Sequence, residues 1–345
     1  MSKIFISEVC TSTLSCEPFV RRCANGELIC VVQCDGPWEP HKDNRVYYFH
    51  SKDDGRNWSK RTLLYPEDGN AVYCTELTSK DGILTAYLTL HDGRFLDWKC
   101  VVMKSYDSGY TWENVGEPPC FNEYTFIRTE KVLENGDILI PYQYYPVTNE
   151  GIAHARTYDD PEQQRVNNTN VPYCESGVLR SADGGKTYEK CVACKMEING
   201  GSSWIWSEPT IAQLSDGRIM MYLRRCGTGW IWSCYSDDNG KTWSEVERTD
   251  IPNPSCKPCL VNLDNNRIAL IHTPNNTVLN KDGWPLRFPL EVWVSDDDLK
   301  SWNKKIKITD YPGYYSYSDG FFENGKLKFV IEHNRHSVIF VELEV

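Results

Sequence analysis

The octets SYDSGYTW (105–112) and SDDNGKTW (236–243) share the form Ser-x-Asp-x-Gly-x-Thr-aromatic, and this form recurs five times in the chain. The other three copies are SKDDGRNW (51–58), SADGGKTY (181–188) and SDDDLKSW (295–302). Five such octets in 345 residues are not a chance occurrence. Self-similarity at a fixed spacing indicates a repeat architecture built from one small unit.

The residue types of the octet are those of a tight turn. An Asp carboxylate can accept hydrogen bonds from nearby backbone amides, and Gly adopts backbone conformations that other residues resist. The terminal Trp or Tyr can then pack between neighbouring sheets. We therefore interpret the octet as a hairpin staple rather than as a catalytic motif. Leu299 replaces the Gly of the fifth copy, which predicts a distorted turn there.

A second signal runs in phase with the octets. Six turn dipeptides each precede a short β-type run: Asn25-Gly26, Asp81-Gly82, Asn135-Gly136, Asp216-Gly217, Asn265-Asn266 and Asn324-Gly325. Such dipeptides are typical of β-hairpins. Six hairpins and five octets predict an all-β fold, a six-bladed β-propeller formed by residues 1–345 as a single domain. The segment KIFISEV (3–9) is expected to supply the outer strand of the last blade and so close the ring.

The third repeat is longer than the others. Its extra segment, roughly 145–176, is polar, and we expect a surface loop that could lie over the functional site. No stretch shows a helical period over a useful length.

Composition limits the partners. The net charge of −11 and the absence of a basic run argue against nucleic acid. No stretch is apolar enough for a membrane span, and the N-terminus does not resemble a signal peptide. The 15 cysteines are an odd number, which favours reduced thiols and a cytoplasmic location. The CxxC pairs Cys191/Cys194 and Cys256/Cys259 could form a zinc site, but small buried side chains are the favoured interpretation.

With these repeats in place, the chain resembles the sialidase (neuraminidase) superfamily of Asp-box, or BNR-repeat, propellers. The resemblance covers nearly the whole chain and implies an exo-acting glycoside hydrolase. Its substrate would be the terminal, acidic sugar of an oligosaccharide or glycoconjugate. Three arginines would bind the sugar carboxylate, a Tyr paired with a Glu would be the nucleophile, and an Asp would be the acid/base. No metal or organic cofactor is required by this chemistry.

The segment SEPTIAQLSDGRIMMYLRRCGTGWIWSCYSDDNGKTW (207–243) is similar to the blade of this family that holds the Glu and the second arginine. The resemblance assigns Glu208 as partner of the nucleophile and Arg224 as the second arginine, with Arg225 as the alternative. The segment WPLRFPLEVWVSDD (284–297) is similar to the one that holds the third arginine, here Arg287.

The segment GYYSYSDGFFENGKLKFVIEHN (313–334) resembles the closing part of sialidases. Tyr317 matches the nucleophile and Glu332 a Glu that follows the next strand, while Tyr314 and Tyr315 are close enough to compete with Tyr317. In FIRTEKVLENGDILIPYQYY (126–145), Arg128 enters just before a hairpin and is expected to line the central pocket.

The first blade departs from the family. Where sialidases have an Arg-Ile-Pro motif, this chain has Cys16-Glu17-Pro18, so the first arginine is absent. Arg21 or Arg22 could take its place. The acid/base is expected in DGPWEPHKDNRVYY (35–48), with Asp43 as first choice and Glu39 or His41 as alternatives. Arg61 and Arg94 have no such context and are expected on the surface.

Two other functions are compatible with the octets. The missing arginine weakens the case for sialic acid, so a different acidic sugar or a neutral sugar would suit the same fold, as would a non-catalytic carbohydrate-binding propeller. The observation that discriminates an enzyme from a binding propeller is whether Glu208, Arg224, Arg287, Tyr317 and Glu332 converge on one pocket at the ring axis.

Overall fold

The computed structural model describes residues 3–197, 206–279, 283, 285–309 and 311–345. Its strands form six antiparallel sheets, and all six hairpins lie where the turn dipeptides predicted them. Each sheet runs outward from an innermost strand, and the innermost strands contact one another in sequence around the ring. The prediction of an all-β, six-bladed β-propeller is confirmed.

The strand bounds follow the chain. The N-terminal strand is β1 (Ile4–Thr11). The first blade contains β2 (Ser15–Arg22), β3 (Leu28–Cys34), β4 (Arg45–Ser51) and β5 (Thr62–Leu63). The second contains β6 (Ala71–Lys80), β7 (Ile83–His91), β8 (Trp98–Ser105) and β9 (Glu113–Gly116). The third contains β10 (Thr125–Ile127), β11 (Lys131–Val132), β12 (Ile138–Tyr144), β13 (Tyr173–Ser181) and β14 (Glu189–Glu197).

The remaining blades have the same order. The fourth contains β15 (Pro209–Gln213), β16 (Ile219–Arg224), β17 (Trp230–Ser236) and β18 (Glu247–Pro252). The fifth contains β19 (Cys259–Asn262), β20 (Ile268–His272), β21 (Glu291–Ser295) and β22 (Lys304–Lys307). The sixth contains β23 (Tyr315–Glu323), β24 (Lys326–His333) and β25 (Ser337–Glu344).

The ring closes through the N-terminus, as expected. Strand β1 pairs antiparallel with β25, from Ile4 opposite Leu343 to Thr11 opposite Ser337. The sixth blade thereby gains its fourth strand, and β25 is not left as an unpaired edge.

Apolar side chains fill the spaces between adjacent blades. Val46 of the first blade and Leu88 of the second belong to one buried cluster, and Val32 and Phe340 join the first and sixth blades in another. Burying each such side chain stabilises the fold by about 1.5–3 kcal/mol. The core therefore consists of interfaces repeated around the ring.

The octets form the predicted staples. In the fourth blade, Asp238 accepts hydrogen bonds from the Ser236 hydroxyl and from the backbone N–H and hydroxyl of Thr242. The Gly240 N–H in turn donates to Ser236 Oγ at 2.8 Å. The expectation of a distorted fifth turn is wrong. Leu299 keeps the equivalent bond to Ser295 Oγ, at 2.9 Å, by adopting a left-handed φ of 63°.

The antiparallel order separates two faces of the ring. In each of the five blades with an octet, the first hairpin and the octet turn follow strands that run in the same direction, so both lie on one face. The loops between the second and third strands lie on the opposite face, as do the starts of the innermost strands. We call these the octet face and the loop face.

The long segment of the third blade is more ordered than a surface loop. It contains a helix, α1 (Asn149–Ala155), and a 3-10 helix at Val166–Asn168. Thr148 caps α1, because its hydroxyl accepts from the Gly151 N–H at 3.1 Å. Ala155 and Val166 are buried in a cluster with residues of the second blade. This packing fixes the segment on the loop face.

The cysteines are all free thiols. Within the described residues, no group of three or more His, Cys, Asp or Glu side chains could hold a metal ion. The same part of the chain contains no helix both long and apolar enough to cross a membrane.

Candidate active site

A cavity of about 430 Å³ opens at the centre of the loop face. All six blades contribute side chains to it, and the fifth contributes Arg287 from the loop before β21. Its walls are Glu17, Glu39, Pro40, Tyr73, Phe95, Phe126, Arg128, Arg165, Asn167, Trp206, Glu208, Arg224, Arg287, Tyr317 and Arg335. We call it the axial pocket.

The charge of the axial pocket is opposite to that of the whole chain. Five arginines against three glutamates give the walls a formal net charge of +2, whereas the chain carries −11. Arginine stays protonated in proteins, so this positive charge persists at any working pH. The pocket is therefore suited to an anion.

Two β-bulges direct side chains to the axis. The pairing register shifts between Cys16 and Phe19 in β2 and between Ser316 and Asp319 in β23. Glu17 and Tyr317 lie in these bulges with left-handed φ values of 47° and 55°. A bulge breaks the strict alternation of a strand and re-aims a side chain, which is why both residues face the pocket.

Tyr317, Arg224 and Glu208 form one hydrogen-bonded group. Arg224 Nη1 donates to Glu208 Oε1 and Oε2 at 2.9 and 3.0 Å and to the Tyr317 hydroxyl oxygen at 3.1 Å. Glu208 and Arg224 are 1% and 5% exposed. The tyrosine and the carboxylate thus share a single guanidinium donor.

The two ionisable partners of Arg224 have opposite pKa shifts. Burial, reinforced by the charge of Glu208, raises the pKa of Tyr317 well above its usual value. Burial also opposes ionisation of Glu208, but the Arg224 and Arg128 guanidiniums outweigh it and lower the pKa of that carboxyl. At neutral pH the group therefore contains a neutral phenol beside a carboxylate.

Arg287 approaches the same tyrosine from the fifth blade. Its Nη1 donates to Ser316 Oγ and its Nη2 to the Ser255 carbonyl at 3.0 Å. The guanidinium carbon lies 4.6 Å from the Tyr314 ring centre and 5.7 Å from that of Tyr317. Tyr314 is therefore an aromatic support for Arg287.

Arg128 lines the pocket as predicted. Its Nη1 donates to the Tyr73 hydroxyl at 3.3 Å and lies 3.6 Å from Glu17 Oε2. Its Nη2 is 3.9 Å from Glu208 Oε1. Arg128 thus links the carboxylates of the first and fourth blades.

Glu17 and Arg335 are site residues that the sequence did not reveal. Burial raises the pKa of Glu17 to about 8, so its carboxyl is largely protonated at neutral pH. Arg335 comes from the turn between β24 and β25, and its Nη2 donates to Glu39 Oε2 at 2.6 Å. Arg335 lies just after the second strand of its blade, and this position, which is visible in the sequence, places it on the loop face.

The break at Cys16 is thus partly compensated. The Cys16 side chain is fully buried, and its thiol points to Glu39, with Sγ 3.8 Å from Oε2. The same Glu39 oxygen receives the guanidinium of Arg335. A cation absent from the first blade is therefore supplied by the sixth.

Several predicted residues lie elsewhere. Asp43 as acid/base is wrong on position, because its side chain is 51% exposed and contacts Lys42 rather than the axial pocket. His41 lines a neighbouring cavity. Glu332 is fully buried, is not part of the pocket wall, and has a pKa raised by burial. Four of the five residues required to converge do so, and Glu332 does not.

The alternatives are also resolved by position. Arg225 stacks on Trp232 at 4.3 Å, and Tyr315 packs in the core against His333.

Arg21 bonds to Glu76 and Asp319, whereas Arg22 bonds to Glu323 and Asp54. Arg61 pairs with Asp35, but Arg94 lines the neighbouring cavity rather than open surface. Trp284, the first residue of the predicted Arg287 segment, lies outside the described residues.

The sequence pattern of the BNR repeat-like domain matches residues 26–328. The chain belongs to this family. The match spans all five octets, so the BNR-repeat assignment made from them is confirmed. A comparison with curated protein sequences finds no significant match.

Solved structures with the same fold include known sialidases. A protein of unknown function from Dyadobacter fermentans DSM 18053 has a TM-score of 0.71 at 15% identity, with 99% of both chains covered. The K499G mutant of NanB sialidase from Streptococcus pneumoniae has 0.68 at 14%, covering 99% of this chain and 70% of that one. Trypanosoma rangeli sialidase in complex with the inhibitor DANA has 0.63 at 15%, covering 97% and 55%.

These likenesses establish a shared fold for this BNR repeat-like chain. It spans only 55% of the T. rangeli sialidase and 66% of the Hadza microbial sialidase Hz136. What the chain does must therefore be argued from its own pocket.

Proposed function

We propose that this protein is an exo-acting glycoside hydrolase that removes a terminal acidic sugar. The observation that carries the proposal is the group formed by Tyr317, Arg224 and Glu208 in the wall of a cationic pocket. A volume of about 430 Å³ is within the range of small-ligand sites, which runs from roughly 300 to 1,000 Å³. The sialidases of the same fold support this reaction class.

The sugar carboxylate binds between Arg224, Arg287 and Arg335. Arg224 is paired with Glu208, and Arg335 with Glu39. A bound carboxylate competes for both guanidiniums and weakens both pairs. The substrate thereby frees the side chains of Glu208 and Glu39 for the proton transfers of the reaction.

In the first step, the Tyr317 oxygen forms a bond to the anomeric carbon while the bond to the leaving oxygen breaks. Glu208 takes the phenolic proton, which is necessary because the pKa of Tyr317 is raised well above its usual value by burial. A neutral nucleophile avoids the repulsion that a carboxylate would meet beside the substrate's own negative charge. Water then attacks the anomeric carbon, the bond to the Tyr317 oxygen breaks, and Glu208 returns its proton to that oxygen, so that the configuration is retained.

Glu39 is the acid/base residue in this mechanism. It lies in the 35–48 segment where the acid/base was expected, and it faces the axial pocket whereas Asp43 does not. In its protonated form Glu39 gives its proton to the leaving oxygen in the first step, and the resulting carboxylate takes a proton from water in the second. Glu17, whose pKa is raised to about 8 by burial, donates a hydrogen bond to the substrate.

The test is an assay on a panel of 4-methylumbelliferyl glycosides that includes an α-sialoside, a β-glucuronide and a neutral β-galactoside. We expect turnover of an acidic glycoside and not of the neutral one. Tyr317→Phe should lower kcat by about 10³-fold or more, because it removes the nucleophilic oxygen. Turnover of the galactoside alone, or full activity in Tyr317→Phe, would refute the proposal.

Leaving-group dependence separates Glu39 from Glu17. Glu39→Gln should slow glycosides of poor leaving groups more than those of a 2,4-dinitrophenyl leaving group, which needs no protonation. Glu17→Gln should slow both to the same extent. The reverse pattern would make Glu17 the acid.

A further inference from the structure

Two thiols meet where the closing strand β1 packs against the first blade. Cys34 belongs to the apolar cluster between the sixth and first blades, and Cys10 packs against that cluster. Both sulfur atoms lie 3.9 Å from the Ser15 hydroxyl oxygen. The two thiols also share a hydrogen bond, which together with burial raises the pKa of Cys34 well above its usual value. Cys10 and Cys34 are therefore direct neighbours.

A bulge in β1 brings the Cys10 thiol to this position. Strict alternation along the strand would put Cys10 on the same side as Ile4 and Ile6, which are 38% and 36% exposed. The pairing register of β1 with β25 shifts between Glu8 and Cys10. Such a shift re-aims the next side chain, and here it turns the thiol from the solvent side toward Ser15. The backbone of the closing strand thus departs from regular geometry where it creates the thiol pair.

The two thiols differ in their access to solvent. Cys10 is half-buried, whereas Cys34 is only 1% exposed. A small oxidant dissolved in water therefore reaches Cys10 first. Cys34 is shielded from direct attack, but its sulfur is in place to react with an oxidised Cys10.

We propose that Cys10 and Cys34 are a modification site, a thiol pair that hydrogen peroxide converts reversibly to a disulfide. The Cys10 sulfur bonds to one peroxide oxygen, the O–O bond breaks, and the leaving hydroxide takes the thiol proton as water. The Cys34 sulfur then bonds to that of the Cys10 sulfenic acid, and the S–O bond breaks. The second hydroxide leaves with the Cys34 proton as water. Two thiols are oxidised and one peroxide is reduced.

The bridge would tie the closing strand to the blade that follows it. Strand β1 is hydrogen-bonded to β25 of the sixth blade, whereas Cys34 is the last residue of β3. A cross-link between residues 10 and 34 removes conformations from the unfolded chain, so the oxidised form is the more stable one. Neither thiol takes part in the proposed glycosidase reaction, so the pair stands or falls independently of it.

The cross-link is tested on the purified full chain. The protein is reduced, treated with a small molar excess of hydrogen peroxide, alkylated in denaturant and weighed by mass spectrometry. We expect two of the 15 thiols to escape alkylation, and dithiothreitol to restore them. Tandem mass spectrometry of proteolytic peptides should join Cys10 to Cys34. A fully alkylated chain, or a bridge between other cysteines, would overturn the proposal without any need for a variant.

Matched variants test the partners of the bridge. Cys10→Ser and Cys34→Ser should keep every remaining thiol alkylated. Cys30→Ser is the control, because Cys30 is a fully buried thiol of the same cluster, and this variant should still form the bridge. A bridge that persists in Cys10→Ser would contradict the assignment.

Thermal unfolding tests whether the bridge fits the folded ring. The oxidised wild type should have a Tm about 5 °C above that of the reduced protein, as a closed loop of this length predicts for a chain of this size. Cys10→Ser treated with peroxide in the same way should show no increase. An unchanged or lower Tm in the cross-linked wild type would overturn the proposal, because it would mean that the bridge forms only at the expense of the folded structure.

Discussion

Asp297 on the octet face and Glu17 on the loop face are carboxyl groups whose pKa values are shifted in opposite directions. Asp297 accepts from the Ser301 hydroxyl and N–H, and these bonds lower its pKa to about 2. Glu17 on the loop face is buried, and although Arg128 Nη1 lies 3.6 Å from its carboxyl, burial outweighs that charge and raises the pKa to about 8. Hydrogen bonds made within one turn complete the octets, whereas the axial pocket leaves its groups available to a ligand.

The same contrast holds for left-handed backbone. On the octet face, Gly55 and Leu299 have positive φ values that allow a local turn to close. On the loop face, Glu17 and Tyr317 have positive φ values in bulges that turn a charged or reactive side chain to the axis. Left-handed backbone therefore closes turns on the octet face, whereas on the loop face it positions side chains in the axial pocket.

The largest effect is expected on the octet face, where a substitution should lower the stability of the fold and leave the function unchanged. Gly55→Ala would place a Cβ 2.2 Å from the Phe340 ring at a φ of +86°. We expect a loss of about 3 kcal/mol in the free energy of unfolding, from overpacking and left-handed strain. Gly26→Ala is the control, because φ is +87° there and nothing lies within 4 Å. Urea unfolding should show a loss of only about 1 kcal/mol for the control; equal losses would contradict the packing argument.

The next largest effect is expected on the loop face, where a substitution should weaken substrate binding and leave the stability of the fold unchanged. Arg335→Ala should raise KM for the acidic substrate about 10- to 150-fold, the equivalent of a charged hydrogen bond worth about 1.5–3 kcal/mol. Arg56→Ala, which breaks the ion pair with Glu342 on the octet side of the first blade, should leave KM unchanged. An unchanged KM in Arg335→Ala would show that the sixth blade does not replace the missing arginine.

A smaller effect is expected from a single octet carboxylate. Asp238→Ala removes the acceptor of three hydrogen bonds and should cost about 1 kcal/mol, as for a lost helix cap. Thermal unfolding and kcat/KM measured together check this. A change in kcat/KM would place the octets in the function and abolish the division between the faces.

The last effect depends on pH. Because the pKa of Glu17 is raised from 4.5 to about 8, the folded chain holds a proton that the unfolded chain releases between those values. Because ionisation in this window favours the unfolded chain, the wild type loses stability as pH rises through it. Glu17→Gln cannot ionise, so its Tm relative to the wild type should increase from pH 5 to pH 8.5. A constant difference would mean that Glu17 is ionised throughout.

Sequence reasoning located much of the pocket through residues adjacent to recognisable repeats. Glu208, Arg224, Arg287 and Tyr317 each keep a fixed spacing to an octet or hairpin, and all four line the axial pocket. Asp43 failed because the 35–44 loop is irregular, so that no strand alternation determines which of its acidic residues turns inward. Glu17 was missed because a bulge in β2 changes the direction that strand alternation would give its side chain.

The sequence by itself determined the blade count and the ring closure. The interactions that specify an octet join residues two to four positions apart, as between Asp238 and Thr242, so they can be recognised in any stretch of chain. Only the tertiary structure decided which arginine meets which carboxylate. Arg335 and Glu39 are 296 positions apart, and Arg224 and Tyr317 are 93 apart. Such pairs form because ring closure brings distant blades to one axis, and no local pattern encodes that meeting.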